Sequence, residues 1–276
     1  MKIADAAEGR SLPPEIVLRN RLSELFLKAL ADPDRGVYVL WLWTYCRLAG
    51  PAHWQVAVAV LAEAVNREAA NYPRADHRGP LEALLADGDL FQLRHLGDDH
   101  ARRSREALAA LRWSWRDAIE LFPEFRDFWT YMVQRAERYW AVVGELMQQR
   151  GRTKGGLEGA VERGVLVFNA GLFFEYHEWL EDHWRAETGD RKRFLQGLIQ
   201  VAVGLHHWEH ANYRGATLLL REGAERLAVG RPCLLGLDVE AFYHEVQRLR
   251  ATLEAAEPQC SHAASRTSLP KQRLLG

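Results

Sequence analysis

Apolar residues recur at intervals of three and four along most of this chain, the spacing of one face of an α-helix. The pattern predicts a helix from about Glu15 to Leu30, opened by Pro13-Pro14 and ended by Asp32-Pro33-Asp34. The run VYVLWLWTYC at 37–46 has β-branched and aromatic residues that would suit a buried strand. With no second strand-like run to pair with it, a buried helix is the expected form. Gly50-Pro51 then opens a helix to about Ala70, and NYPRADHRGP at 71–80 reads as a loop. Further helices are expected near 81–95, from Asp98 to Leu121, and from Pro123 to about Gln149.

RGRTKGG at 150–156, with three glycines and no apolar side chain, is the expected linker. Four helical segments follow, at roughly 157–187, 191–211, 213–228 and 239–256. The remaining residues, small and polar, predict a disordered tail. The expected class is all-α: a helical bundle built on a central antiparallel hairpin, with an additional N-terminal helical lobe. In domain terms this gives residues 1–150, all-helical and of unknown type, a C-terminal bundle at 157–257, and a tail at 258–276.

Charge narrows the partners. Of 36 basic and 37 acidic residues, the segment 151–276 carries 16 of each, so neither half has the basic excess that phosphate-backbone binding needs. Nucleic acid is therefore not an expected partner. Three scattered cysteines, Cys46, Cys233 and Cys260, argue against a disulfide framework and against a cysteine-rich zinc site. The start lacks the apolar run of a signal peptide, and no apolar run approaches the roughly 20 residues of a spanning helix. A cytoplasmic protein without a membrane partner is expected, and its tryptophan-rich faces suggest a homo-oligomer.

The chemistry concentrates in FFEYHEWLEDHW, residues 173–184. On a helical wheel Phe173, Phe174, Glu181 and Trp184 fall within about 60° of His177, which puts His177 and Glu181 together on an apolar stripe. Glu178, Asp182 and Arg185 fall on its flank, and Glu175 further round. A carboxylate on a buried stripe costs several kcal/mol unless paired, so Glu181 demands a partner, with His177 the nearest. Thr188-Gly189-Asp190 makes a tight connection, with Gly189 suited to a left-handed cap, so the next helix is an antiparallel neighbour. On that helix His206 shares a stripe with Ile199 and Ala202. Gln196, Gln200 and His207 form a polar ribbon, flanked by Gly197 and Gly204 where another backbone could approach. Folding the hairpin allows contact among His177, Glu181, Gln200 and His206 without requiring it.

Two readings stand. In one, His177, Glu178, Glu181, Trp184, Gln196, Gln200 and His206 form a polar cluster in a non-enzymatic binding or scaffolding module. In the other, His177, Glu181 and His206 hold a divalent metal (zinc, iron or manganese) in a hydrolase or related enzyme, with Glu178 as a nearby base. The spacing is not HExxH, and no ferritin-like pair of ExxH motifs is present.

The pattern His177-Glu178, Glu181, Trp184, followed by a short turn, FLQGLIQ at 194–200, His206, Asn212 and Gly215-Ala216, resembles the domain of unknown function 309 family. RPCLLGLD at 231–238 fits it too, and the resemblance covers roughly 160–256. It implies a compact helical bundle on the central hairpin and marks His177, Glu178, Glu181, Trp184, Gln196, Gly197 and His206, without supplying a reaction. The first 150 residues carry no such resemblance.

Overall fold

The computed structural model describes residues 12–70, 90–95, 117–149, 154–256 and 269–275, with only the backbone given for 93–95. The chain divides into two compact units, Met1–Gln148 and Gln149–Gly276. It is predominantly helical, as the apolar periodicity predicts, with small sheets added.

In the first unit, α1 (Pro14–Ala31) and α2 (Gly36–Leu48) pack with α4 (Trp129–Gln148). The ambiguous run at 37–46 is helical, and its side chains Trp41, Leu42 and Tyr45 are almost wholly buried. Burial on most of its circumference explains why its composition suits a strand equally well. At the start of α2, Gly36 lets α4 come close: a Cβ there would lie 2.7 Å from Val143 and 2.9 Å from Met147. Phe26 stacks on Tyr139 at 4.3 Å between ring centres, and Trp43 on Trp140 at 5.6 Å.

The expectation of a wholly helical first lobe needs correction. Gln55–Ala57 (β1), ahead of α3 (Val58–Ala69), pairs antiparallel with Asp117–Leu121 (β3), which also pairs with Phe91–His95 (β2). The described ends of the helices expected at 81–95 and 98–121 are thus strands. Five-residue runs lie within the range where apolar pattern alone does not separate strand from helix, and each strand's partner lies far off in sequence. The Tyr45 hydroxyl joins the helices to this sheet, donating to the Trp54 carbonyl at 2.6 Å and accepting from the Leu121 amide at 3.0 Å. The 71–80 loop, residues 81–90 and 98–116 of the expected helices other than Leu90, and linker residues 150–153 lie outside the described residues.

The second unit opens with α5 (Gly156–Asn169) and α6 (Phe173–Ala186). A single segment at 157–187 was the expectation; instead Gly171, at φ +71°, ends the first helix and lets Leu172 lead into the second. Phe168 meets Phe173, Tyr176 and Phe242 edge-on at 5.1–5.3 Å, forming the aromatic centre of this unit. Gly189, at φ +59°, turns the chain from α6 into α7 (Gly189–Glu209), the antiparallel partner anticipated from Thr188-Gly189-Asp190.

Asn212 then caps α8 (Tyr213–Leu227), accepting from the Gly215 amide at 3.0 Å. The α7–α8 crossing is close because of its glycines. A Cβ on Gly197 would lie 2.9 Å from the Leu227 nitrogen and 3.0 Å from the Gly223 oxygen. A hairpin of β4 (Cys233–Leu234) and β5 (Leu237–Asp238) leads into α9 (Val239–Ala256).

The expected disordered tail also needs correction where it is described. Residues 269–275 lie against this unit, with Pro270 and Gln272 buried, while 258–268 fall outside the described residues.

Candidate functional site

Helix α6 divides its side chains between two faces. Phe173, Glu175, Tyr176, Trp179 and Leu180 are buried, and the Trp179 indole donates to the Ala160 carbonyl of α5 at 2.8 Å. The arc centres on Tyr176, not on His177. His177, Glu178 and Glu181 occupy the other side of the helix, retaining 24%, 31% and 18% of their side-chain exposure. This corrects the expectation of an inward-facing His177 and Glu181. A wheel centred on His177 counts Phe173, Phe174, Leu180 and Trp184 and leaves out Tyr176 and Trp179. Glu175, expected further round, is the fully buried carboxylate of the helix.

Within that half-buried face the three residues converge. His177 Nδ1 lies 3.5 Å from Glu178 Oε1, and one ligand atom from each of His177, Glu178 and Glu181 falls within 4.8 Å of the others. Arg185, one turn on, pairs with Glu181 at 3.1 Å and with Asp182 at 3.2 Å. Burial holds the His177 imidazole below its ordinary range, against Glu178 and Glu181, which favour its protonated form. At neutral pH the ring is therefore neutral, with a lone pair available to a ligand.

The other candidate residues spread outward from this centre. His206 does not join the cluster of ligand atoms. Its ring lies 5.9 Å from Phe174, which stands 6.4 Å from His177, and 4.3 Å from His210. Phe174 thus neighbours both histidine rings. Gln200 turns to α8, donating to Glu222 at 2.8 Å, and Glu222 also pairs with Arg226 at 3.5 Å. The contact of Gln200 with His177 that the hairpin allowed without requiring is replaced by this bond across the α7–α8 crossing. His207 bonds the Asn212 side chain at 2.9 Å and so supports the cap of α8. Trp184 lies beneath Lys192, whose Nζ is 4.7 Å from the ring centre. Gln196 is half-buried on α7 beside Gly197.

Two polar residues escape the sequence pattern. Glu175 stands about 100° from Tyr176 on the wheel, as far round as His177 on the other side, so the wheel alone does not single it out. The Tyr176 hydroxyl, which accepts from Gln272 Nε2 at 2.7 Å, has a partner 96 residues away and leaves no local signal.

The cluster lies within the part of the chain that comparisons recognise. The family model for the domain of unknown function 309 matches residues 161–219. Uncharacterized protein YpuF of Bacillus subtilis (strain 168) is 32% identical over 89 residues, covering 29% of this chain and 51% of that protein. The match spans about half the length of that curated relative. No solved structure matches the chain. No helix among the described residues is long and apolar enough to cross a membrane. Helices α5, α6, α7 and the start of α8 therefore make up the part of this chain that matches the domain of unknown function 309 model.

Proposed function

We propose that the C-terminal unit is a non-enzymatic binding module whose recognition centre is His177, Glu178 and Glu181, and that its ligand is a divalent cation. The observation that carries this reading is the convergence of one imidazole and two carboxylates, with ligand atoms within 4.8 Å of one another. Metal–ligand bonds of about 2.0–2.2 Å hold donors no more than roughly 4.4 Å apart. His177 and Glu178, at 3.5 Å, already stand at such a spacing. Metal binding would draw the Glu181 carboxylate from Arg185 toward the other two donors. A neutral imidazole with two carboxylates suits zinc or manganese better than calcium, which prefers oxygen ligands throughout.

The second reading is metal-assisted hydrolysis. What favours it is that three protein donors leave coordination positions for water and substrate, as catalytic zinc sites do. In this arrangement Glu178 is a ligand and not a free base, and His206 is not among the converging groups.

Calorimetric titration of metal-free protein with zinc and with manganese tests the binding reading. One cation per chain is expected, with the heat lost in His177→Ala. No saturable binding of either ion overturns it. If the loaded protein hydrolyses model phosphoesters or carboxylic esters, and His177→Ala abolishes this turnover, the second reading replaces the first.

A further inference from the structure

The C-terminal segment meets the second unit as a bound peptide meets its receptor. Residues 257–268, twelve in number, connect it to α9 and reach at most about 40 Å when extended. Its backbone is read at four places. Gln272 donates its amide to Asn169 Oδ1 at 3.0 Å and accepts from Asn169 Nδ2 at 2.9 Å, so a single side-chain amide pairs with both backbone groups, as a neighbouring strand would. The Lys271 amide donates to Glu245 at 2.6 Å. Further along, the Asp238 amide donates to the Arg273 carbonyl at 2.9 Å, and the Leu275 amide to the Gly236 carbonyl at 2.8 Å. Leu274 faces Leu237 as an antiparallel partner, so the segment lies along the β4–β5 hairpin as an added strand.

Side chains supply the selectivity. Gln272 is 2% exposed, and its Nε2 donates to the buried Tyr176 hydroxyl at 2.7 Å. Lys271 Nζ donates to the Asn169 carbonyl at 2.6 Å, placing a cation at the C-terminus of α5 where the helix dipole favours it. Arg273 stands 3.6 Å from Glu245. Pro270 is buried just before them.

We infer that the surface formed by Asn169, Tyr176, Glu245 and the β4–β5 hairpin is a peptide-docking site, for which residues 269–275 are a tethered and exchangeable occupant. Its ligand class is an extended peptide with a glutamine between two basic residues. The site lies on the Tyr176 side of α6, opposite His177, Glu178 and Glu181, and does not depend on cation binding.

The test uses the full chain with a protease site placed within residues 257–268. After cleavage the C-terminal piece is expected to co-elute with the body in gel filtration. A fluorescently labelled peptide of residues 269–275 is expected to exchange into the cleaved protein with saturable anisotropy. The same peptide carrying Gln272→Ala should bind at least about tenfold weaker, a difference of roughly 1.4 kcal/mol. Peptide variants leave the folding of the body untouched, so a loss of binding reports recognition alone. Release of the cleaved piece without saturable uptake of labelled peptide up to about 1 mM, the weak end of the affinity scale, overturns the inference. Equal binding of the Gln272→Ala peptide also overturns it.

Discussion

Glu181 sits one helical turn beyond His177, keeps 18% of its side-chain exposure, and pairs with an Arg185 that is 40% exposed. A pair so open to water contributes at most about 1 kcal/mol. Glu181→Gln should therefore lower stability by no more than that in a denaturant titration, while abolishing cation binding in calorimetry. A loss of about 3–5 kcal/mol, as from a broken buried pair, would instead mark Glu181 as a structural brace. His177 gives a pH dependence. Burial lowers its pKa in the folded state, so the unfolded chain binds the proton more tightly. The resulting stability is present above the unfolded value of about 6.5 and is lost as the pH falls below it. His183 is shifted in the same direction, by burial and then by Arg163. Melting temperatures between about pH 7.5 and pH 5.5 should fall for the metal-free protein, and fall less steeply in His177→Gln, because one of the two groups is gone. The identity of these residues was legible in the sequence, and their facing was not. Phe174 and Trp184 are apolar whether they pack inward or shield a half-open face, so composition on a wheel does not tell the two apart.

Among the elements, the helices most clearly written in the sequence are those whose apolar face is fixed by glycine. Gly197 and Gly204 stand out on α7 as places where a second backbone could approach, and α8 lies there. A Cβ on Gly204 would meet the Ala216 oxygen at 3.3 Å, and one on Gly223 the Gly197 oxygen at 3.0 Å. Gly197→Ala would gain about 1 kcal/mol in helix propensity but force apart two backbones, an overpacking cost of about 1–3 kcal/mol or more. The expected net result is a lower melting temperature by differential scanning calorimetry; an unchanged or higher one would mean that the crossing relaxes freely. The sheet of the first unit was illegible for the opposite reason. Phe91-Gln92-Leu93-Arg94 does alternate apolar and polar residues, but β3 buries Ala118, Ile119, Glu120 and Leu121 together, so it carries no alternation to match. Glu120, 7% exposed, is held there by Arg126, whose guanidinium also lies 5.3 Å from the Trp54 ring centre. That anchor depends on the fold being formed already.

At the scale of the whole molecule, the second unit supplies its own aromatic centre and the three converging groups of the candidate site. Phe168 meets Phe173, Tyr176 and Phe242 within it, and His177, Glu178 and Glu181 come from the single helix α6. The final strand comes from its own C-terminal segment, through Asn169, Tyr176 and Gly236. A chain of about 130 residues buries close to two-thirds of its surface on folding, enough for an independent hydrophobic core. A fragment covering residues 149–276 is therefore expected to unfold in one cooperative thermal transition and to bind a divalent cation as the full chain does. Helical circular dichroism without a cooperative transition would show that this core needs the first unit. Shortening the same fragment at residue 268 removes five hydrogen bonds to the segment's backbone and the Gln272–Tyr176 bond. The shortened fragment should melt at a lower temperature and recover on addition of the 269–275 peptide, because a ligand that binds only the folded state stabilises it in proportion to its concentration over Kd. If the shortened and complete fragments melt together, the segment adds nothing to the fold, and its contacts at Asn169 and Tyr176 do not hold in solution.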